Sequence, residues 1–538
     1  MDQMITYPIG EASFTNLRED NAVYVDKTAL IYQLVKQGRY YFLSRPRRFG
    51  KSLLVSTLEA YFQGRRELFK GLALEKLEKD WVQYPVLHVD FSRDNFAVQG
   101  VLEKTLNTIL GNWERLYGRE ADDDTFAARF VRMIENAHAQ TGRRVVVLVD
   151  EYDKPMLDAI NDEELLARNQ QELRAFYGAL KGAGDHLRFV FLTGITRFAH
   201  LNIFSGLNNL RDISMSTAYA TLCGITGEEL RANLDEGVRR LAEGSGKTLA
   251  EAYDKLEAMY DGYRFSPRAE AGVYNPFSLL NALADREYGY YWYETGTPTL
   301  LFKRVVRQRV PVAELRRCRM GLDGLDACDL GSIGLVPLLY QAGYLTIASY
   351  SAAAGSCELA FPNGEVRAAF YKGLSPYLFR VEEVRGLSIQ GMRDRMVAGD
   401  VEELLGSLHA FIAGFSYNLQ GDRESHFQDI LVTIFYGMGL ETYKELGVSA
   451  GRIDTVVLTP DLVYIFEFKL DRPAAEAMAQ IEAKGYAAPF AMDRRAVVKL
   501  GVSFSSKTRN IAECIVRTDG KEDVKMGVVD GKLRAVGE

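Results

Sequence analysis

The sequence predicts an α/β protein. It opens with a parallel sheet, continues through a mainly helical and winged-helix-like middle, and ends in a second α/β domain. Three stretches predict this. In residues 39–62 a strand runs into Gly50-Lys51-Ser52 and then into a helix. In residues 143–151 five consecutive aliphatic residues end in Asp150-Glu151. In residues 451–470 two strands, joined by the turn Thr459-Pro460-Asp461, carry Asp454, Glu467 and Lys469.

A chain of 538 residues has room for about three domains at roughly 150 residues each. The boundaries expected are 1–215, 216–400 and 401–538. The composition, 47% hydrophobic and 25% charged, is that of a soluble globular protein. With 65 Lys and Arg against 72 Asp and Glu the net charge is −7, so a nucleic-acid partner needs a local basic surface. Cys223, Cys318, Cys328, Cys357 and Cys514 form no C-x-x-C. That excludes a cysteine zinc cluster and fits a reducing compartment. The first residues lack the basic and apolar regions of a signal peptide. No apolar run approaches the ~20 residues that span a bilayer. A cytoplasmic protein without a membrane partner is expected.

In order, an amphipathic helix at 27–37 comes first, with a packing role or a place over a nucleotide base. Strand 39–43 then leads to Ser44-Arg45-Pro46-Arg47-Arg48-Phe49-Gly50-Lys51-Ser52. In such a loop the N–H groups at the helix start attract anions, Lys51 sits on the β/γ oxygens, and Ser52 ligates magnesium. The first glycine of G-x-x-x-x-G-K-[ST] falls on Arg45, and Pro46 fixes φ at the bend instead. A buried strand at 85–91 and a long helical region to about 139 follow. The run 145–149 suits a parallel strand buried on both faces, with Asp150 and Glu151 at the edge where open α/β sheets place ligands. Asp150 is expected in a magnesium shell, and Glu151 on the attacking water. A strand at 188–193 puts Thr193 and Arg197 where a γ-phosphate would be sensed and neutralised; strand-end capping and a surface charge explain them equally well.

The middle offers shape more than chemistry. Thr226-Gly227-Glu228-Glu229 opens a helix with a capping pattern, and Asn275-Pro276 opens another. Tyr260-Asp261-Gly262-Tyr263 and Gly289-Tyr290-Tyr291-Trp292-Tyr293 have no interleaved bases in the second run, so core or interface is expected before base stacking. Residues 335–345 read as a helix broken at Gly343, followed by strands at 346–349 and 358–361.

At the C-terminus, a hairpin centred between Pro460 and Asp461 sets Asp454 opposite Glu467, where like charges destabilise. Lys469 shares Glu467's face, and a divalent cation would complete the balance. Oxygen ligands suit magnesium or manganese, and such a site suits phosphodiester hydrolysis. Glu424 opens a helix and could add a ligand. Gln480, Lys484 and Tyr486 lie on or after a helix at 474–484 that could cover the site. An exposed Glu/Lys strand face is the plainer alternative.

Taken together, Tyr7-Pro8-Ile9-Gly10, Tyr24-Val25-Asp26-Lys27-Thr28, residues 42–52, Asp150-Glu151-Tyr152-Asp153, Asn208-Asn209-Leu210, Tyr260-Asp261-Gly262-Tyr263, Gly451-Arg452-Ile453-Asp454 and Glu467-Phe468-Lys469 resemble the bacterial and archaeal AAA-ATPase-like proteins that end in a PD-(D/E)XK nuclease domain. Arg45 in place of the first glycine is usual in such proteins. The resemblance implies an additional-strand P-loop ATPase and a restriction-endonuclease-like C-terminal domain. It puts Lys51 and Ser52 at the ATP phosphates; Arg47, Arg48, Phe49, Gly50, Asp150, Thr193 and Arg197 are the further residues expected at the ATP site, and whether Arg45, Arg47 and Arg48 touch nucleotide, nucleic acid or only solvent is open. It places Mg2+ at Ser52 and Asp150, and assigns water activation to Glu151. In the nuclease core it makes Asp454, Glu467 and Lys469 the catalytic set, with Glu424 and Gln480 as auxiliaries and Mg2+ or Mn2+ as cofactor. The expected function is an ATPase coupled to a metal-dependent DNA nuclease. The rival is a regulatory NTPase whose last domain only binds nucleic acid or a protein.

Overall fold

The computed structural model describes residues 5–120, 123–197, 209–292, 299–308, 315, 317–325, 334–378, 389–413, 424–449, 451–518 and 520–536. Asn208, Tyr293 and Cys328 lie outside them. In place of three consecutive domains, the chain divides into two compact units. One is Met1–Thr295 with Arg317–Arg367, the other Gly296–Arg316 with Ala368–Glu538.

The first unit holds a five-stranded sheet: β1 (Tyr40–Ser44), β2 (Val86–Asp90), β3 (Val145–Asp150), β4 (Leu187–Gly194) and β5 (Arg211–Asp212). The order is β2-β3-β4-β1-β5, and every pairing is parallel. Parallel neighbours need crossovers, and helices Lys51–Phe62, Val101–Tyr117, Phe126–Thr141 and Glu163–Gly182 supply them. They bury the sheet so thoroughly that all of β3 is buried, as its aliphatic run requires. Strand β4 stands between β1 and β3, the additional strand expected. The single long helical region expected after β2 is two helices. Gly118, at φ +86°, ends the first, and the Thr125 hydroxyl accepts the Ala128 N–H to start the second.

Residues of the middle pack onto this sheet and its loop. Helix Gly227–Gly244 begins with the complete Thr226/Glu229 capping box, and Asn275 Oδ1 accepts the N–H groups of Phe277 and Ser278 at the start of Pro276–Asp285. Strands β6 (Cys318–Gly321), β7 (Thr346–Ser351) and β8 (Ser356–Ala360) form an antiparallel sheet in the order β6-β8-β7. The middle does not stand apart because aromatic burial ties it to the phosphate loop: the Phe49 ring lies 4.7 Å from Tyr263 and 5.1 Å from Phe265. Gly343, at φ +86°, leaves room for Pro46; a Cβ there would lie 2.6 Å from the proline's Cβ.

The second unit carries a seven-stranded sheet: β9 (Glu441–Val448), β10 (Gly451–Leu458), β11 (Leu462–Leu470), β12 (Ala496–Ser505), β13 (Asn510–Thr518), β14 (Val524–Val529) and β15 (Lys532–Ala535). They follow one another across the sheet, and β11–β12 is the parallel pair. Strand β11 is buried on both faces. Tyr464, Phe466 and Phe468 pack with Phe427 and Phe435 of helix Glu424–Gly437. Val463 and Ile465 face Met478 and Ile481 of helix Ala474–Ala483. Glu467 takes the face of Val463 and Ile465, because side chains alternate along a strand.

Candidate active sites

The phosphate loop leaves β1 at Ser44 and enters its helix at Lys51. Two left-handed residues shape it, Arg48 at φ +67° and Gly50 at φ +84°. Gly50 caps the helix with no side chain, so the first N–H groups of the helix keep no side-chain partner and form an anion-binding end. Arg47 and Arg48 are exposed on the rim of a cleft of about 1350 Å³, whose floor holds Gly50, Lys51, Ser52 and Glu151. The Phe49 ring turns away into the core, and also lines an apolar recess that adjoins the cleft at Pro8, Gly50, Leu53, Pro276 and Leu280.

Arg45 is not exposed to the cleft at all. It is 1% exposed, and its guanidinium donates to the carbonyls of Ser44 and Ser214 at 2.8 Å and of Tyr219 at 3.1 Å, stacked on Phe265. The side chain that replaces the motif's glycine is therefore a strut for the loop.

Lys51 Nζ folds back on the loop, donating to Pro46 O at 3.2 Å, and lies 3.6 Å from Glu151 Oε1. The Ser52 hydroxyl neighbours the Asp150 carboxylate and favours its charged form, as does Lys51. Burial, and then the charge of Glu151, push Asp150 up to about 6. Glu151 itself is held at φ +53°, a left-handed conformation that costs about 1 kcal/mol for a residue with a Cβ. Serine, lysine and two acids thus converge at the ends of β1 and β3.

Thr193 and Arg197 are not brought there. Thr193 is fully buried, and its hydroxyl donates to Leu43 O at 2.9 Å, across the β1–β4 pairing. The Arg197 guanidinium donates from Nε and Nη2 to Asp212 Oδ2 at 2.9 and 2.6 Å. It lines a separate cavity with Arg45, Ser214 and Tyr263. Thr193 is drawn off by Leu43 on the neighbouring β1, and Arg197, beyond the end of β4, by Asp212 on β5, which lies on the far side of β1.

In the second unit the ladder from Leu458↔Val463 to Thr455↔Phe466 points Asp454 across to Glu467, as the hairpin spacing predicts. Asp454 Oδ2 accepts the Phe468 N–H at 2.9 Å. Lys469 Nζ donates to Glu467 Oε1 at 3.2 Å and to Phe468 O at 2.9 Å. Glu467 is 1% exposed, and its Oε2 is buried without a hydrogen-bond partner among the described residues. Burial, then the neighbouring Asp454, push Glu467 up to about 7; burial also raises Asp454.

Glu424 Oε2 accepts the Leu470 N–H at 3.0 Å, so it borders the group but spends one oxygen on the backbone. Among the described residues no cluster of three or more His, Cys, Asp or Glu side chains closes around a metal position. No hydrogen bond among the described residues joins half-buried Gln480 to Asp454, Glu467 or Lys469. Tyr486 donates to Arg452 O at 2.8 Å and supports β10.

Two contributors escaped the sequence reading. Gln428, one turn after Glu424, donates from Nε2 to Asp454 O at 2.7 Å; the i, i+4 spacing on one helix face was its signal. Glu445 adjoins Asp454 on β9 at φ +53°, and no local signal marks it.

Comparison with known proteins agrees with both halves. Residues 8–204 match the family model described as a predicted AAA-ATPase, and residues 422–514 match the PD-(D/E)XK nuclease superfamily. An uncharacterized protein in the vnfD 5′ region of Azotobacter chroococcum mcd 1 is 36% identical over 526 residues, covering 95% of this chain and 99% of that one.

Proposed function

This chain belongs to the AAA-ATPase-like proteins that end in a PD-(D/E)XK nuclease domain, and on that premise we propose a magnesium-dependent ATPase coupled to a metal-dependent DNA phosphodiesterase. The observation that carries it is the buried, unpartnered Glu467 Oε2 beside Asp454 and Lys469. A buried carboxylate oxygen without a partner is costly, and a hard cation is the ligand that satisfies it. Asp454 and Glu467 would hold that cation, with Glu424 bordering it; when bound, it supplies an acidified water and neutralises charge on the phosphate. Lys469 orients the Glu467 carboxylate and adds positive charge beside the scissile group.

In the first unit the Gly50–Ser52 amides take up the phosphates, and Lys51 exchanges Glu151 for them, which releases Glu151 toward the water. Ser52 and Asp150, neighbours at the ends of the loop and of β3, suit magnesium. The apolar recess of Val25, Ile31, Leu222, Ile225 and Leu280 takes the base. Residues 222–225 and 276–280 therefore act as a wall of the nucleotide site.

A second reading has one observation in its favour: among the described residues no third carboxylate, His or Cys joins the acidic group closely enough to hold a metal. In that reading the C-terminal unit binds nucleic acid or a protein without cutting, and the first unit is a regulatory switch. Cleavage of labelled single-stranded, duplex and branched DNA with magnesium or manganese, with and without ATP, decides. Loss in Glu467→Ala and an altered ATP response in Lys51→Ala establish the coupled enzyme. ATP turnover with no cleavage of any substrate leaves the switch.

A further inference from the structure

We infer that Asp153 is a positioning residue for ATP hydrolysis, clamping the exit of β4 to the turn that carries Glu151; this rests on the ATPase reading above. Asp153 is fully buried and reaches across to the segment after β4. Its Oδ2 accepts the Thr196 N–H at 2.6 Å and the Thr196 hydroxyl at 2.5 Å, and the Ile195 N–H approaches both oxygens at 3.3 and 3.2 Å. Neighbouring Tyr152 adds two stitches. Its N–H donates to Thr193 O at 3.1 Å and its hydroxyl to Thr196 O at 2.8 Å. Gly194 makes this approach possible, since a Cβ there would collide with the Asp153 carboxylate and the Tyr152 ring.

The two clamped segments are both walls of the phosphate cleft, one through Glu151 and the other through Ile195. Glu151 sits in a left-handed conformation that its surroundings must enforce. The stitches lie on one side of it. On the other, the Glu151 N–H is held by Asp150 Oδ1 at 3.0 Å. The clamp reaches further: Thr196 precedes Arg197, whose N–H donates to Gln341 Oε1 at 3.0 Å and whose guanidinium grips Asp212. An ordinary buried capping acid would serve the fold alone. This one fixes the distance between the hydrolytic carboxylate and the facing wall.

The test is steady-state ATP turnover and nucleotide affinity in the full chain, with thermal melting, for Asp153→Asn, Thr196→Val and Lys51→Ala. Asparagine keeps the shape but offers one acceptor oxygen in place of two, and sets an NH2 group against donors. We expect ATP affinity within about threefold of the parent while kcat falls by about 100-fold, the effect of an ångström-scale misplacement. Thr196→Val, which loses only the hydroxyl donor, should lower kcat less and leave affinity alone. A folded Asp153→Asn protein with parental kcat overturns the inference, as does a parallel loss of affinity and kcat. If Asp153→Asn does not fold, Thr196→Val decides by the same split of kcat from affinity. An unsubstituted protein that binds ATP, loses binding in Lys51→Ala and yet shows no turnover overturns the ATPase reading, and this inference with it.

Discussion

The phosphate cleft and the hairpin carboxylates balance their charges in opposite ways. In and behind the phosphate loop the buried cations have protein partners: Lys51 has Glu151 and Pro46 O, Arg45 three carbonyls although its Nε has none among the described residues, and Arg197 has Asp212. On the hairpin two facing carboxylates share one lysine, and one oxygen of Glu467 has nothing. The cleft is a frame that stands in balance by itself and exchanges partners when an anion arrives. The hairpin stores an electrostatic deficit that a cation would relieve. The difference lies in what each position faces: the loop brings Arg45 within reach of the carbonyls of Ser214 and Tyr219, whereas alternation along the paired strands sets Glu467 against a second carboxylate.

Among the ways to test this asymmetry, Glu467→Ala has the largest effect. Metal-dependent cleavage should fall by at least about 10³-fold, since the lost cation stabilisation is worth several kcal/mol. ATP binding should be unchanged, and gel-based cleavage beside a nucleotide-binding titration reads both.

Next comes Arg45→Gly, which restores the motif's usual glycine. It should destabilise the first unit by about 3 kcal/mol, because three carbonyls lose a charged donor and Phe265 loses its stacking partner. Urea unfolding measures it, and a stabilised variant would show that the strut is unnecessary. Lys51→Ala should weaken ATP binding by about 10- to 100-fold, the worth of one charge-assisted contact. Cleavage in the absence of ATP should persist, and its loss would break the separation between the two sites.

The smallest effect is on pH dependence. Glu467 titrates near 7 in the folded chain against its ordinary 4.5. The folded state therefore holds the proton more tightly, and the stabilisation is complete below about pH 4.5 and lost as pH rises through 7. Glu467→Gln removes that loss. In metal-free protein it should be about 1–2 kcal/mol more stable than the parent at pH 8, after allowance for solvent screening, and nearly equal at pH 4. Magnesium or manganese should raise the parent's stability at pH 8 and leave the glutamine variant unmoved. Equal denaturation midpoints of the two proteins at pH 8 would remove the deficit.

Local pattern was enough for much of the protein. The aliphatic run at 145–149 had to be a strand buried on both faces, Thr226 and Glu229 had to cap a helix, and Asn275-Pro276 had to open another. Alternation of side chains placed Asp454 against Glu467 and sent Tyr464, Phe466 and Phe468 to the other face, because period and turn position set register without reference to the rest of the chain. The destinations of Arg45, Thr193 and Arg197 were not legible. Their acceptors are Ser214 and Tyr219, Leu43, and Asp212, residues brought alongside only when the sheet assembles in the order β2-β3-β4-β1-β5. The packing of residues 263–265 against the phosphate loop depended likewise on Phe49 meeting Tyr263 and Phe265. What short-range periodicity and turn chemistry dictate was written in the sequence; which buried polar group meets which partner was decided by tertiary packing, since a charge takes whichever acceptor the fold leaves within reach.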